Sequence, residues 1–273
     1  MSMIHPEVLM GVDASSPRMV IDRFEGGISP YWVRFAVGHG EIECAPKGVL
    51  FSLEGARAGE LSDAEINDHR HHARKNFPWT PPLSMEVRAR FSHPAGELLG
   101  TAGFGFWNAP YDWEGGIGVP PNWVWFFYAS PPSDVSLTPG QPGCGWKAAM
   151  LNGGEGMGPL MGLVDLATRM PLARKVFLWL AYRTLSMGDR LLEVDMRGWH
   201  AYSLHWQREA ALFQVDGREV YGVANPPRLP LGFVAWMDNN CASMTPAGGL
   251  ETGQLSVPHR QCLEIDYIKI SEE

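Results

Sequence analysis

An all-β sandwich is the fold class this sequence predicts, and three observations predict it. About a dozen short runs rich in Val, Ile, Phe, Tyr and Trp recur along the chain. They are separated by frequent turn residues, 31 glycines and 22 prolines. Asp216-Gly217 lies between the alternating runs ALFQV and REVY, and such a pair suits the two-residue hairpin whose central residues need positive φ. With 45% hydrophobic and 19% charged residues, the chain is not intrinsically disordered. Its 273 residues suffice to bury about 75% of the unfolded surface. There is no repeat and no low-complexity linker, so one domain over 1–273 is expected.

The elements follow in order. VIDRF (20–24), YWVRFAV (31–37), EIECA (41–45) and GVLFSL (48–53) read as strands cut by Gly and Pro. Over 62–75 the spacing of Ser62 and Glu65 matches a capping box, so one or two polar helical turns are expected before Pro78. MEVRARF (85–91) alternates apolar and charged, a strand with one wet face. GTAGFGFW (100–107), NWVWFFYAS (122–130), LLEVDM (191–196), AYSLHWQ (201–207), ALFQVDGREVY (211–221), LGFVAWM (231–237) and CLEIDYIKI (262–270) complete the strands.

Residues 157–187 break this pattern. They read as two helices divided at Pro171, with Leu172, Val176, Trp179, Leu180 and Arg183 at helical spacing. Arg174 and Lys175 fall on another face. A helical insertion in a β scaffold is expected, with Trp179 or its neighbours Val176 and Leu180 packed over one end of a ligand groove. A second subunit or a membrane surface is the competing occupant of that apolar face.

Charge and cysteines narrow the classes. A net charge of −8 with no polybasic tail argues against nucleic acid. Among the 22 bases only five are Lys, a balance that suits bidentate ion pairs more than a solubilising coat. No run of 18 uncharged apolar residues exists, so no transmembrane span is expected. The opening MSMIHPEVLMGVDASS lacks a basic stretch followed by an apolar one. Cys44, Cys144, Cys241 and Cys262 are scattered, without CxxC, and read as reduced thiols; Cys241–Cys262 is the one bridge considered. A cytoplasmic location is the resulting expectation. His69 and His72 could ligate a metal at i,i+3, but Arg70, Arg74 and Lys75 beside them oppose a cation. No metal and no cofactor are expected, and there is no GxGxxG, P-loop, HExxH or GxSxG.

The last third carries a resemblance. Trp199, His200 and Tyr202, then Val215-Asp216-Gly217, then Asp266-Tyr267 before alternating apolar residues, stand in the order found in the concanavalin A-like lectin/glucanase superfamily. More narrowly the chain is similar to glycoside hydrolase family 16, the laminarinases, lichenases and agarases. MEVRARFSHPAG…TAGFGFW (85–107) resembles the strand pair leading into that family's catalytic strand. The resemblance covers 20–156 and 189–270 and implies a jelly-roll sandwich with a concave saccharide groove. Asp266 matches the family's calcium-binding aspartate. The family's catalytic strand carries Glu-x-Asp-x-(x)-Glu, because a retaining glycosidase needs two carboxyl groups about 5–5.5 Å apart, which alternation puts on one strand face. The strand matched to it here, 122–130, contains no acid, and after Glu114 the next acid is Asp134. The usual family mechanism is therefore not expected.

Aromatic residues fill that place, ten of them between Phe104 and Tyr128. Alternation puts Trp123, Trp125 and Phe127 on one face and Val124, Phe126 and Tyr128 on the other. One face should pack between the sheets, and the other should line the groove. The candidate ligand-binding residues are Trp107, Trp113, Trp123, Trp125, Tyr128, Trp179, Trp236 and Asn239. The carboxylates available for relocated acid–base work are Asp112, Glu114 and Asp238. Glu193 and Asp195 in LEVDM, and His200 and His205, read as structural or solvated. Three functions are expected in turn: binding of a saccharide, glycoside or apolar small molecule without family-type catalysis; an enzyme with relocated acid/base residues; or docking to a membrane surface or partner through the insertion, with a homodimer among the outcomes.

Overall fold

Period-two alternation dictates strands along most of the chain. The computed structural model describes residues 18–45, 47–110, 119–154, 185–244 and 250–273. The first strands are β1 (Met19–Asp22), β2 (Val33–Val37), β3 (Gly40–Cys44), β4 (Val49–Leu53) and β5 (Asp63–Asn67). There follow β6 (Leu83–Phe91), β7 (Thr101–Trp107), β8 (Asn122–Ala129), β9 (Asp134–Val135) and β10 (Gly145–Asn152). Next come β11 (Ser186–Leu191), β12 (His200–Trp206), β13 (Ala210–Val215) and β14 (Arg218–Ala224). The last are β15 (Gly232–Asp238), β16 (Asn240–Met244), β17 (Leu250–Gln254) and β18 (Gln261–Glu272).

One sheet runs β14-β13-β12-β6-β18-β4-β3, with β1 added against β18. The facing sheet runs β11-β10-β8-β7-β15-β5-β2, and a small sheet β17-β16-β9 lies beside it. Among the described residues the named strands pair antiparallel except β16 with β9. The two large sheets enclose one core. Phe104 and Phe106 of β7, Phe126 and Tyr128 of β8 and Trp146 of β10 meet Val87 of β6, Tyr202 and Trp206 of β12, Phe213 of β13 and Ile268 of β18. This is an all-β jelly-roll sandwich, as expected. Asp216 (φ 50°) and Gly217 (φ 74°) make the β13–β14 hairpin turn.

Three expectations change. Residues 63–67 are a strand, and the only helical turn nearby is a 3₁₀ turn at Arg74–Asn76. Ala64 and Ile66 alternate into the core, which is strand period, while Ser62 Oγ accepts from the His39 N–H at 3.1 Å instead of capping a helix. LLEVDM is strand only at its first residue, where β11 ends. The described residues contain no α-helix. The expected helical insertion lies outside the described residues up to 184, and its last residues, Ser186 and Met187, open β11. All four cysteines are free thiols, so the Cys241–Cys262 bridge is absent.

The outer face of the seven-stranded sheet carries a second apolar cluster: Phe127, Ala129, Leu137, Ala149, Leu151, Val234 and Trp236. Leu137 belongs to a segment, 133–143, that lies across this face above β10. Lys147, fully buried, anchors the segment by donating through Nζ to the carbonyls of Val135 (2.7 Å) and Pro142 and to Asp189 Oδ2 (2.8 Å). Asp189 Oδ1 in turn accepts from the Thr138 N–H at 2.8 Å.

Candidate functional site

Strand register arranges the outer-face residues in rows across β5, β15, β7 and β8. The first row is Asp63, Asp238, Thr101 and Ala129; the second is Glu65, Trp236, Gly103 and Phe127. The third is Asn67, Val234, Gly105 and Trp125, and the fourth holds Gly232, Trp107 and Trp123. The centre of the face is thus a glycine trench along β7. A Cβ on Gly103 would stand 2.3 Å from the Phe126 carbonyl oxygen and 2.9 Å from the Trp236 ring. On Gly105 it would stand 2.4 Å from Trp125 Cβ. With β7 bare, indoles from the strands on either side meet above it.

Trp125 and Trp236 have ring centroids 5.0 Å apart, and Trp123 stacks on Trp125 at 5.0 Å and 17°. Trp107 adds a fourth ring 6.1 Å from Trp125. The platform therefore runs across strands. Trp125 Nε1 is buried with no hydrogen-bond partner among the described residues. Trp236 is held by its Nε1, which donates to Thr101 Oγ1 at 3.0 Å. The same hydroxyl donates to Asp238 Oδ1 at 2.8 Å, so one threonine orients a platform ring and a carboxylate together.

Carboxyl groups line one end. Glu65 Oε1 accepts from Asn67 Nδ2 at 2.6 Å, and Asp238 also accepts from the Asn240 N–H (2.9 Å) and Nδ2 (2.7 Å). Burial lifts the Glu65 carboxyl to about 7 against that Asn67 bond. Burial also raises Asp238, and it raises Asp63 well above the usual carboxylate range with help from the charges of Glu65 and Asp238. Asp63 Oδ1 has no hydrogen-bond partner among the described residues. Arg70 lies over the Phe35 ring at 3.9 Å and draws the Asp63 and Glu65 values down.

A histidine closes the other end. His69 lies on the outer face over Gly232, where an added Cβ would stand 2.3 Å from His69 Cβ. Its ring packs against Phe77 (4.8 Å) and edge-on to Trp107 (6.0 Å). Nδ1 bonds the Phe233 carbonyl at 3.2 Å. Burial drops its pKa to about 4, so the ring is neutral at pH 7. Behind it, buried Asp68 accepts from Trp79 Nε1 (2.6 Å), the Phe233 N–H (2.8 Å) and Tyr31 Oη (3.2 Å).

Of the residues singled out from sequence, Trp107, Trp123, Trp125, Trp236 and Asp238 come together here. Two do not belong. Tyr128 follows the core face of β8, fully buried, its hydroxyl donating to the Leu98 carbonyl and accepting from the Gly96 N–H, both at 2.9 Å. Asn239 is fully buried and spent on backbone: Nδ2 donates to the carbonyls of Arg57, Glu60 and Leu255, and Oδ1 accepts from the Ser62 N–H. Asp112, Trp113, Glu114 and Trp179 lie outside the described residues. Asp63 and Glu65 escape the sequence reading because the spacing over 62–75 predicts helical turns, although the alternation of Asp63, Glu65 and Asn67 with Ala64 and Ile66 is the strand signal. His69, weighed from sequence only as a metal ligand, stands here as a neutral ring beside Trp107. Elsewhere, His200 Nδ1 is 2.7 Å from Asp216, and His205 Nδ1 is 3.5 Å from Glu273. Asp266 accepts from Arg88 at 2.5 Å. Among the described residues no three metal-ligating side chains gather, and no helix is long and apolar enough to cross a membrane.

No family model matches the chain, and no curated protein matches it in sequence. Solved structures do share its fold. The Crh5 transglycosylase in complex with NAG aligns with TM-score 0.51 at 10% identity, over 93% of this chain and 83% of that one. The catalytic domain of an endo-1,3-β-glucanase (laminarinase) from Thermotoga petrophila gives 0.51 at 11%, covering 94% and 98%. A laminarinase from Flavobacterium sp. gives 0.50 at 12%, covering 92% and 98%. By name these neighbours are a transglycosylase and two laminarinases, and what this chain shares with them is the fold.

Proposed function

We propose that this protein binds a saccharide, a glycoside or a similar small molecule with an apolar ring face on the outer face of its seven-stranded sheet. The observation that carries this reading is the four-indole platform of Trp107, Trp123, Trp125 and Trp236 above the glycine trench. Flat indoles cover the C–H faces of sugar rings, and carboxyl groups at the margin supply hydroxyl partners. The glycosidase neighbours support a saccharide over other ligands. The test is a tryptophan-fluorescence and calorimetric titration with laminari-, cello-, chito- and galacto-oligosaccharides and their aryl glycosides. Saturable quenching lost in Trp125→Ala is expected. Silence across the whole panel would overturn the reading.

A second reading is an enzyme with relocated acid and base, favoured by Glu65. A carboxyl group holding its proton to about pH 7 is suited to protonating a leaving oxygen, a contribution of about 10²–10⁴-fold. Asp238 and Asp63 are the carboxylates beside it. Release of reducing ends from a bound oligosaccharide, abolished by Glu65→Gln, would favour this reading; intact ligand after prolonged incubation would leave binding alone. The sequence of β8 contains no acid, which supports a role other than hydrolysis by the usual family 16 arrangement.

A further inference from the structure

We propose that the Trp107–Trp123 end of the platform is a hydroxyl-recognition subsite in which His69 accepts a hydrogen bond from the ligand through Nε2. This rests on the ligand-binding reading above and deepens it. The argument begins with the tautomer. A carbonyl oxygen only accepts, so the 3.2 Å contact from Nδ1 to the Phe233 carbonyl requires the proton on Nδ1. Nε2 then carries a lone pair. The His69 side chain is 6% exposed, yet Nε2 has no hydrogen-bond partner among the described residues. The ring is fixed from three sides: Phe77 and Trp107 flank it, and Gly232 lies beneath it with no room for a Cβ. Nε2 is not one of the buried unpartnered atoms of the described residues, so its lone pair reaches the surface of this face, open to a ligand. A fixed acceptor beside stacked indoles, with no carbonyl or carboxylate to share it, matches a neutral ring that presents an O–H at its edge. A pyranose does so, and a bare hydrocarbon ring does not.

The experiment follows Nε2 in long-range ¹H–¹⁵N spectra of histidine-labelled protein during titration with the oligosaccharide panel, then with phenol and benzene. It is paired with affinities and melting temperatures for His69→Asn, His69→Phe and His69→Gln. Asn keeps a donor near Nδ1 without an acceptor at Nε2, Phe keeps the ring without either, and Gln restores a polar atom near Nε2. An upfield shift of the Nε2 resonance with saccharide is expected. About five- to tenfold weaker binding should follow in the Asn and Phe variants, regardless of which melts lower, with recovery in Gln. If a saccharide binds while Nε2 stays still and all three variants bind as wild type, the inference falls and the saccharide reading stands. If no saccharide binds but phenol moves Nε2 and benzene does not, the subsite stands and the saccharide reading falls. If no saccharide binds and neither phenol nor benzene moves Nε2, both are overturned.

Discussion

Replacing Lys147 by Met should unfold the protein at markedly lower denaturant, and the reason is countable. The Lys147 and Asp189 side chains are both completely buried, 2.8 Å apart. Methionine fills nearly the same volume but removes the donor to Asp189 Oδ2 and to the carbonyls of Val135 and Pro142. Asp189 keeps the Thr138 N–H on Oδ1, so its charge is left half-satisfied in an apolar setting. Breaking a buried pair from one side costs about 3–5 kcal/mol. In a chain this long that is a fall in Tm on the order of 10 °C. Urea unfolding at pH 7, followed by tryptophan emission, gives the midpoint and slope. Lys147→Met/Asp189→Leu should recover part of the loss, because it removes the stranded charge along with its partner. A single variant within about 1 kcal/mol of wild type would refute the reasoning, since it would mean that water already reaches the pair.

Other outcomes test the site. Because burial raises Glu65 to about 7 in the fold, the native state holds a proton that the unfolded chain releases above its ordinary carboxylate range. That contribution to stability is complete at low pH and is lost as pH rises through about 7. Glu65→Gln should therefore gain on wild type between pH 5 and pH 8 in parallel denaturation curves, and a constant difference would contradict this. His69 works in the opposite sense: its pKa of about 4 means that stability is lost as pH falls below about 6.5, and His69→Phe should flatten the acid side of the curve. Gly232→Ala should destabilise by about 1–3 kcal/mol through the clash with His69, read as a lower melting temperature. An unchanged Tm would show that the ring moves aside freely.

Much of the sandwich was legible because strands with one face in the core write their period into sequence. Val124, Phe126 and Tyr128 against Trp123, Trp125 and Phe127 is such a case, and the alternation placed both faces correctly. Tyr128 follows that same alternation into the core, away from any ligand on the outer face. The acidic end of the site was hidden by a coincidence of spacing. Ser62 and Glu65 satisfy a helix-start pattern, while Asp63, Glu65 and Asn67 satisfy a strand with an unusually polar face, and local sequence does not decide between them. What decides is pairing with β15 on one side and β2 on the other, a tertiary fact. β10 was missed for a related reason: GWKAAMLN is buried on both faces, so it lacks alternation, and its Lys147 disguises a core position as a surface one. His69 carries no local signal either, since its place over Gly232 depends on residues 163 positions apart.

The glycine trench has an optical consequence. Four indoles with centroids 5.0–6.1 Å from a neighbour are close enough for their transition dipoles to mix, so their absorption is shared and not a sum of independent chromophores. Circular dichroism near the indole bands should therefore show a couplet of paired positive and negative lobes, whose amplitude depends on the angle between Trp125 and Trp236 across β7. A methyl group at Gly103, against both the Phe126 carbonyl and the Trp236 ring, would displace strand and ring together, and the couplet would change with them. The bare strand thus makes the floor of the face its own reporter, readable without any label.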